Sequence, residues 1–478
     1  MDQRGINLLN RHEPGPTRRY VVRTFGCQMN EHDSLTIRGL LAQHAYLPAT
    51  TLDEADLIIF NTCTIREKAH HKAFSEIGRT AQLKEERPHV VVGVCGCVAQ
   101  QDREGLFQRF PHLDLLFGPD QIQELPRLLD QLHNGESHVS ALQCINSADD
   151  YHFLDLIPWA TAVEQGRPTA PPATAFVTIM KGCDANCAYC IVPSVRGKEV
   201  CRPAEAIVSE VAALAVRGVR EVTLLGQTVN TYGNRRHPGV IPFPDLLQRL
   251  ADETTIARIR FTSPHPKDVN AALAGAYRDN PKLVPHIHMP LQAGSDAVLR
   301  RMRRSYSRQQ YLDKVALLRA ASPDLALTTD LIVGFPGETE ADFLQTCGVV
   351  RDVGFSGIYA FKYSPRPGTS AAEALHDDVT EREKRDRLDR LLTMHNAMLQ
   401  RQLAANVGTM QEVLIERYDE GSAQWTGRTP HNTLVHCTGA SLAIGQLAII
   451  HITRAYGHSL EGKEREVIRR ELAGGGGV

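Results

Sequence analysis

The sequence predicts an α/β chain in three parts: an N-terminal open parallel α/β domain, a central partial parallel (β/α) barrel, and a small C-terminal β-barrel. Three observations carry this expectation. Short β-rich runs alternate with periodic helical segments in two series, residues 20–135 and 175–361. Between them the stretch 157–175 holds Pro158, Pro168, Pro171 and Pro172 with little periodicity, the composition of a stiff linker. After a charged helical segment at 381–403, the pattern changes to short strands set off by Gly421, Gly427 and Gly439.

In chain order, the first series places strands at 20–25, 56–61 and 89–94, each followed by a polar–apolar helical period, which makes an open sheet of parallel strands. The second series places strands at 175–180, 221–225, 258–262, 286–290, 325–333 and 356–361. Six βα units make a partial or complete parallel barrel. In the last part, 412–417, 433–437 and 446–453 read as strands of a small barrel. Domains are therefore expected at 18–135, 169–401 and 404–464, with the glycine run 474–477 as a disordered tail.

A chain of 478 residues, 42% hydrophobic, has material for several buried cores. Lys plus Arg number 53 against 55 Asp plus Glu, so no global field draws in polyanions and any nucleic acid must be held by local patches. Residues 1–20 are polar, and no segment approaches a membrane-spanning run; a cytoplasmic location without a membrane partner is expected. In that reducing compartment the eleven cysteines, an odd number, are available for metal binding or catalysis.

The strongest local signal is Cys183-Asp-Ala-Asn-Cys187-Ala-Tyr-Cys190, a C-x3-C-x2-C run in the turn after the first strand of the second series. Three soft thiolates without a nearby fourth leave one iron of a 4Fe-4S cluster open, and an open iron can chelate S-adenosylmethionine for reductive cleavage. The alternative, structural zinc, needs four protein ligands, and neither Cys201 nor a histidine stands at finger spacing. A second set is dispersed: Cys27, Cys63 and Cys97 each follow a predicted parallel strand. Ligands gather beyond the carboxyl ends of such strands, so these three converge as candidates for another cluster. Taken singly, each is also an ordinary buried thiol. Cys95, Cys144, Cys201, Cys347 and Cys437 share no pattern and read as core or incidental thiols.

At the Cys183 loop the sequence resembles the radical S-adenosylmethionine superfamily. With both cysteine sets placed, residues 20–462 resemble the radical S-adenosylmethionine methylthiotransferase family. Gly-Cys-Gln-Met-Asn at 26–30 and Asn-Thr-Cys-Thr-Ile-Arg-Glu at 61–67 look like the subgroup that modifies transfer RNA; relatives acting on a ribosomal protein usually carry proline and lysine after the first cysteine. Cys201, where relatives commonly have serine, and Ser305, where they commonly have glycine, depart from the pattern without touching a proposed ligand.

The resemblance implies two 4Fe-4S clusters, an auxiliary one on Cys27, Cys63 and Cys97 and a radical one on Cys183, Cys187 and Cys190, with S-adenosyl-L-methionine as cofactor and a TRAM-like RNA-binding barrel at the end. It implies addition of a methylthio group to C2 of N6-dimethylallyladenosine beside the anticodon on its 3′ side, adenosine 37. One S-adenosylmethionine would methylate a sulfur and another would yield the radical that takes hydrogen from C2. Implied partners are tRNA carrying N6-dimethylallyladenosine, a reductase, flavodoxin or ferredoxin as electron donor, and a sulfur donor. Methylthiolation of another tRNA adenosine or of a ribosomal protein, and a noncatalytic iron-sulfur RNA-binding protein, are the rival readings.

Further family-like stretches lie at predicted strand ends: 226–230, 290–295 and 330–338. There Gly226 lets backbone approach a nucleoside, while Gln227, Gln292, Ser295 and Asp330 offer hydrogen bonds to ribose, adenine or methionine. Gly334 and Gly337 read equally as a strand-to-helix turn. For RNA, Arg300, Arg301, Arg303 and Arg304 form a block suited to phosphates or to a solvated helix face. Arg417, Trp425, Arg428, His431, Arg454 and Tyr456 of the last part combine charge with stacking surfaces.

Overall fold

The computed structural model describes residues 18–64, 67–147, 171–234 and 239–468. Most of the proline-bearing stretch, both chain ends with the glycine run, and Ile65 and Arg66 of the second cysteine motif lie outside the described residues. The described residues form two compact units, the first ending at Gln143 and the second beginning at Cys144.

The first unit is a six-stranded, all-parallel sheet: β1 (Arg19–Thr24), β2 (Leu47–Pro48), β3 (Leu57–Thr62), β4 (Val91–Gly96), β5 (Leu115–Phe117) and β6 (Val139–Ala141), in the order β2-β1-β3-β4-β5-β6. Every residue of β3 is buried, as a central strand covered on both faces requires. Ile58, Phe60, Val92 and Val94 pack against Phe74 and Ile77 of the helix Glu67–Glu86. The sheet extends past residue 135, where the sequence pattern placed its end. Strands as short as β2, β5 and β6 carry too few residues for an alternation to register.

The second unit carries parallel strands in sequential order: β7 (Thr174–Thr178), β10 (Glu221–Leu225) and β11 (Arg258–Phe261) in one sheet, β12 (His286–His288), β13 (Ala326–Val333) and β14 (Gly357–Lys362) in another. A parallel bridge from Ile259 to Leu283 links the two. Between β7 and β10, a small antiparallel pair, β8 (Met180–Lys181) and β9 (Val200–Cys201), forms the stem of a loop. No pairing joins β7 to β14 among the described residues, so the six strands make a partial barrel. Leu327, Thr329, Leu331 and Val333 are buried toward the helices, which leaves Thr328, Asp330 and Ile332 on the inner face. Partners in parallel register share a face, so His286, His288, Tyr359 and Phe361 also project inward.

The helix Glu381–Ala404 begins at a capping box in which Glu383 N–H donates to Thr380 Oγ1 (3.3 Å) and Thr380 N–H to the Glu383 carboxylate (2.9 Å). It leads into a closed five-stranded barrel: β15 (Met410–Asp419), β16 (Gln424–Arg428), β17 (Leu434–Thr438), β18 (Leu447–Ala455) and β19 (Ser459–Val467), in the order β15-β16-β17-β19-β18. Two of these strands, β16 and β19, went unread in the sequence because glycine and charge break their alternation. The terminal barrel closes the floor of the central one. Arg258 donates to the Arg428 carbonyl (3.0 Å) and Glu412 (2.8 Å), Arg260 donates to the Pro430 carbonyl (3.3 Å), and both guanidinium groups meet buried Glu221.

Candidate metal centres and cofactor site

The Cys183 loop is fixed by backbone before any metal is considered. At Gly182 (φ +75°) a Cβ would stand 1.9 Å from the Lys198 carbonyl oxygen, so only glycine lets the two arms approach. Cys183 N–H donates to the Gly197 carbonyl (3.1 Å), and Cys190 N–H to the Cys187 carbonyl (3.1 Å). Donors already face the sulfurs: Ala185 N–H to Cys183 Sγ (3.4 Å) and Arg304 Nη1 to Cys187 Sγ (3.3 Å). Burial pushes the Cys183 thiol up to about 11 and the Cys190 thiol up to about 12. A cationic metal centre overcomes that burial by binding the thiolate outright. Among the described residues no three His, Cys, Asp or Glu side chains converge closely enough to share a single metal ion. A polynuclear cluster takes thiols set further apart, and this loop supplies three.

Arg304 is the residue that sequence reasoning misplaced most. With Arg300, Arg301 and Arg303 it reads in sequence as a block facing phosphates or solvent. Its guanidinium instead points inward, donating to Cys187, to the Pro290 carbonyl (3.3 Å) and to Tyr306 Oη (2.9 Å), over whose ring it also lies. Burial opposes its charge, but Tyr189, Tyr306 and Cys187 hold it firmly cationic. Arg301 is likewise internal, donating to the Gly337 carbonyl (2.6 Å) and lying 3.8 Å from Asp342. Only Arg300 and Arg303 of that block are exposed. His265, beside Tyr306, is neutral at pH 7, because burial first and then Arg304 and Lys267 hold its pKa down to about 3.

The expected cofactor residues separate into two groups. At the end of β10, a Cβ on Gly226 would stand 2.6 Å from Met180 Cγ, so this turn packs onto the stem of the cysteine loop. Gln227 Oε1 is buried without a hydrogen-bond partner, as a side chain awaiting a ligand would be. Next to it, the Thr228 hydroxyl donates to Glu199 (2.7 Å). Gln292 holds positive φ (+71°) and bridges to β13, its N–H donating to the Asp330 carbonyl (2.9 Å). The Asp330 carboxylate lies 3.4 Å from His288 Nε2 on the inner face. Ser295 caps the helix Asp296–Arg301 and donates to Asp342, so its hydroxyl is used internally. Gly334 (φ +69°) and Gly337 (φ +75°) shape the strand-to-helix turn, with their N–H groups donating to Glu338 and Asp378.

In the first unit, Cys27, Cys63 and Cys97 follow β1, β3 and β4, which are adjacent in the sheet. Their loops touch: a Cβ on Gly26 would stand 2.3 Å from Cys63 Cβ, and one on Gly96 would stand 2.5 Å from Asn61 Oδ1. A buried asparagine pair ties them together. Asn30 Nδ2 donates to Asn61 Oδ1 (3.0 Å) and the Thr62 carbonyl (3.2 Å), Asn61 Nδ2 donates to the Asn30 carbonyl (2.8 Å), and Asn30 Oδ1 accepts from the N–H and thiol of Cys27 (both 3.3 Å). Both asparagines belong to the quoted cysteine motifs, which was the available signal. Thr64 Oγ1 and Gln101 Oε1, following Cys63 and Cys97, are buried without partners. Cys95 lies within β4 and is pushed well above the ordinary thiol range by burial; Cys437 is buried in the terminal barrel.

Of the expected RNA-facing residues, His431 turns toward the central barrel, 3.1 Å from Asp324, whereas Arg428 stays within the terminal barrel, 3.7 Å from Glu416 of β15 and partly exposed. Tyr456 remains exposed, stacked by Arg454, and Trp425 pairs with exposed Tyr418.

A partial parallel barrel with a three-cysteine loop beyond its first strand defines the class, that of radical S-adenosylmethionine enzymes. Residues 177–350 match the Radical SAM superfamily, residues 19–118 match uncharacterized protein family UPF0004, and residues 404–463 match the TRAM domain. The chain is 45% identical over 473 residues to a tRNA-2-methylthio-N(6)-dimethylallyladenosine synthase of Sorangium cellulosum, covering 94% of each chain. It is 47% identical over 455 residues to the protein of that name in Anaeromyxobacter dehalogenans, again covering 94% of each. The chain belongs to this family of methylthiotransferases. In fold alone it is similar to the radical S-adenosylmethionine methyltransferase TsrM of Kitasatospora setae, solved with cobalamin and a [4Fe-4S] cluster bound. That likeness has a TM-score of 0.52 and 12% identity, and covers 74% of this chain and 77% of the other. Among the described residues no helix is long and apolar enough to cross a membrane.

Proposed function

We infer that this chain is a tRNA-modifying methylthiotransferase that replaces the C2 hydrogen of N6-dimethylallyladenosine, on the 3′ side of the anticodon, with a methylthio group. The observation that carries the reading is two sets of three cysteines, each at the carboxyl ends of a different parallel sheet, in a chain whose relatives share that activity by name over nearly their whole length. The three expected parts, 18–135, 169–401 and 404–464, correspond in this reading to sulfur delivery, radical generation and RNA binding.

Cys27, Cys63 and Cys97 would hold one 4Fe-4S cluster, and Cys183, Cys187 and Cys190 a second. When bound, the second supplies the electron that splits S-adenosylmethionine into a radical able to take hydrogen from C2, while the first carries the sulfur to be delivered. The chain's own residues do the rest. Arg304 and the Ala185 amide hold two sulfurs of the radical loop in place. Gly226 permits close backbone approach and Gln227 offers its unpartnered amide oxygen to the cofactor. Gln292 holds Asp330 at the inner face, and Ser295 positions the helix behind them. Asn30 and Asn61 fix the loops that present the auxiliary thiols. An electron donor of the flavodoxin or ferredoxin class and a sulfur donor complete the reaction, in the cytoplasm where tRNA is met.

Alanine at Cys27, Cys63 or Cys97 should abolish methylthiolated nucleoside and spare 5′-deoxyadenosine formation, whereas alanine at Cys183, Cys187 or Cys190 should eliminate both. Iron content, deoxyadenosine and modified nucleoside are measured on the same anaerobic preparations. Full methylthiolation by a variant of the first set, or iron near four per chain with zinc making up the rest, would sink the two-cluster reading.

A further inference from the structure

The inner face of the central barrel carries two large aromatic side chains that no other described residue covers. Tyr359 is 51% exposed and Phe361 37% exposed, although both lie on β14 in register with Asp330 and Ile332 of β13. Leaving such surface to water forfeits about 25 cal/mol per Å2, so an apolar ligand that covers it gains binding energy there. Beside the pair stands a polar wall. His288 Nε2 is 3.4 Å from the Asp330 carboxylate, its ring meets Tyr359 edge to face at 5.7 Å, and its Nδ1 is 3.0 Å from Thr328 Oγ1.

Position narrows what the face can receive. The floor of the barrel is filled by Arg258, Arg260 and Glu221 with the carbonyls of the terminal barrel, so a ligand on the inner face lies toward the carboxyl ends of the strands. The Cys183 loop and Gly226 stand at that same end, and Gln292, whose N–H donates to the Asp330 carbonyl, makes the aromatic face continuous with the candidate site. A ligand there needs a flat ring for stacking, an apolar branch for the exposed aromatic edges, and ring nitrogens for an imidazole–carboxylate pair.

We propose that Tyr359 and Phe361 form the subsite for the N6-prenylated adenine, Phe361 covering the dimethylallyl branch and Tyr359 the ring, with the His288–Asp330 pair hydrogen-bonding the base. This rests on the substrate reading given above and adds to it the residues that distinguish a prenylated from a bare adenosine. A single methylene in an apolar pocket discriminates by roughly 10–200-fold, so a five-carbon prenyl branch gives at least about tenfold.

The test compares wild type with Phe361→Ala, Phe361→Leu and Tyr359→Ala on two anticodon stem-loop RNAs that differ only in the dimethylallyl group. Equilibrium binding to the protein without added cofactor is read by fluorescence anisotropy, and methylthiolation by the reconstituted enzyme is read in parallel. Wild type should favour the prenylated RNA at least tenfold in binding. Phe361→Ala should bring that ratio close to one while affinity for the bare RNA stays within twofold, and Phe361→Leu, which keeps apolar volume and guards against misfolding, should retain part of it. A wild-type ratio preserved in both Phe361→Ala and Tyr359→Ala overturns the subsite. Loss of the ratio in the variants, with no methylthiolated product from wild type on either RNA, would leave the subsite standing and sink the substrate chemistry instead.

Discussion

Replacing Glu221 by glutamine should loosen the attachment of the terminal barrel more than any surface change. The carboxylate takes two hydrogen bonds from Arg260 (2.9 and 3.2 Å) and lies 3.8 Å from Arg258, with all three side chains at most 6% exposed. Glutamine keeps the shape and removes the charge. Glu412 still faces Arg258, so the substitution leaves about one guanidinium without a counter-ion in a dry floor, which costs about 3–5 kcal/mol. Coulomb attraction at about 4 Å and an effective dielectric of about 20 gives roughly 4 kcal/mol, the same range. The chain has two tryptophans, Trp159 and Trp425, so in a Trp159→Phe background the fluorescence of Trp425 reports on the terminal barrel alone. With an m-value of about 2 kcal/mol per molar, the urea midpoint should fall by roughly 1.5–2.5 M. Pairing Glu221→Met with Arg260→Leu should recover most of that loss, since an apolar replacement of a buried ion pair is often neutral. A single variant within about 1 kcal/mol of wild type, or a double variant no better than the single, refutes the reasoning.

Two further outcomes follow from the sites. Asn61→Ala removes partners from Asn30 and Ser34 in a fully buried knot, and should destabilise the first unit by about 2–4 kcal/mol while lowering iron retention there; unchanged thermal unfolding and iron content would remove the asparagines from the account. Arg304→Gln deletes a charged donor to Cys187 whose pull is greater on a more negative cluster, so the reduction midpoint of the radical cluster should move negative. A charge-assisted bond of about 1.5–3 kcal/mol corresponds to roughly 65–130 mV for one electron, read by potentiometric electron paramagnetic resonance. Arg304→Lys should recover part of the shift, and an unmoved midpoint in Arg304→Gln would show that the contact does not tune the cluster.

The sequence by itself determined the cysteine spacings and the order of the parts. Residue type and spacing are local: C-x3-C-x2-C needs only one stretch of chain to place three thiols in a single loop, and alternating βα periodicity placed β10 at Glu221–Leu225 and the long helix to within a residue of its observed end. That Cys27, Cys63 and Cys97 follow three adjacent strands was legible because parallel strands bring their carboxyl ends to one edge, so position after a strand stands in for distance. What the sequence could not settle was the direction of individual side chains. Arg304 sits in a run of arginines that reads as a solvated face, yet the turn after the helix Asp296–Arg301 aims it at Cys187. His431 has the composition of an RNA surface and instead meets Asp324 of the central barrel, because barrel closure and docking decide which side of a strand or loop meets solvent. Tyr359 and Phe361 fall in the strand expected at 356–361, where nothing in the pattern marks which face they take. They face inward with much of their surface exposed, and only register across β13 and β14 reveals the face they share with Asp330. Chemistry carried by neighbours in sequence is written in the sequence; chemistry carried by neighbours across a sheet is decided by strand order, register and burial.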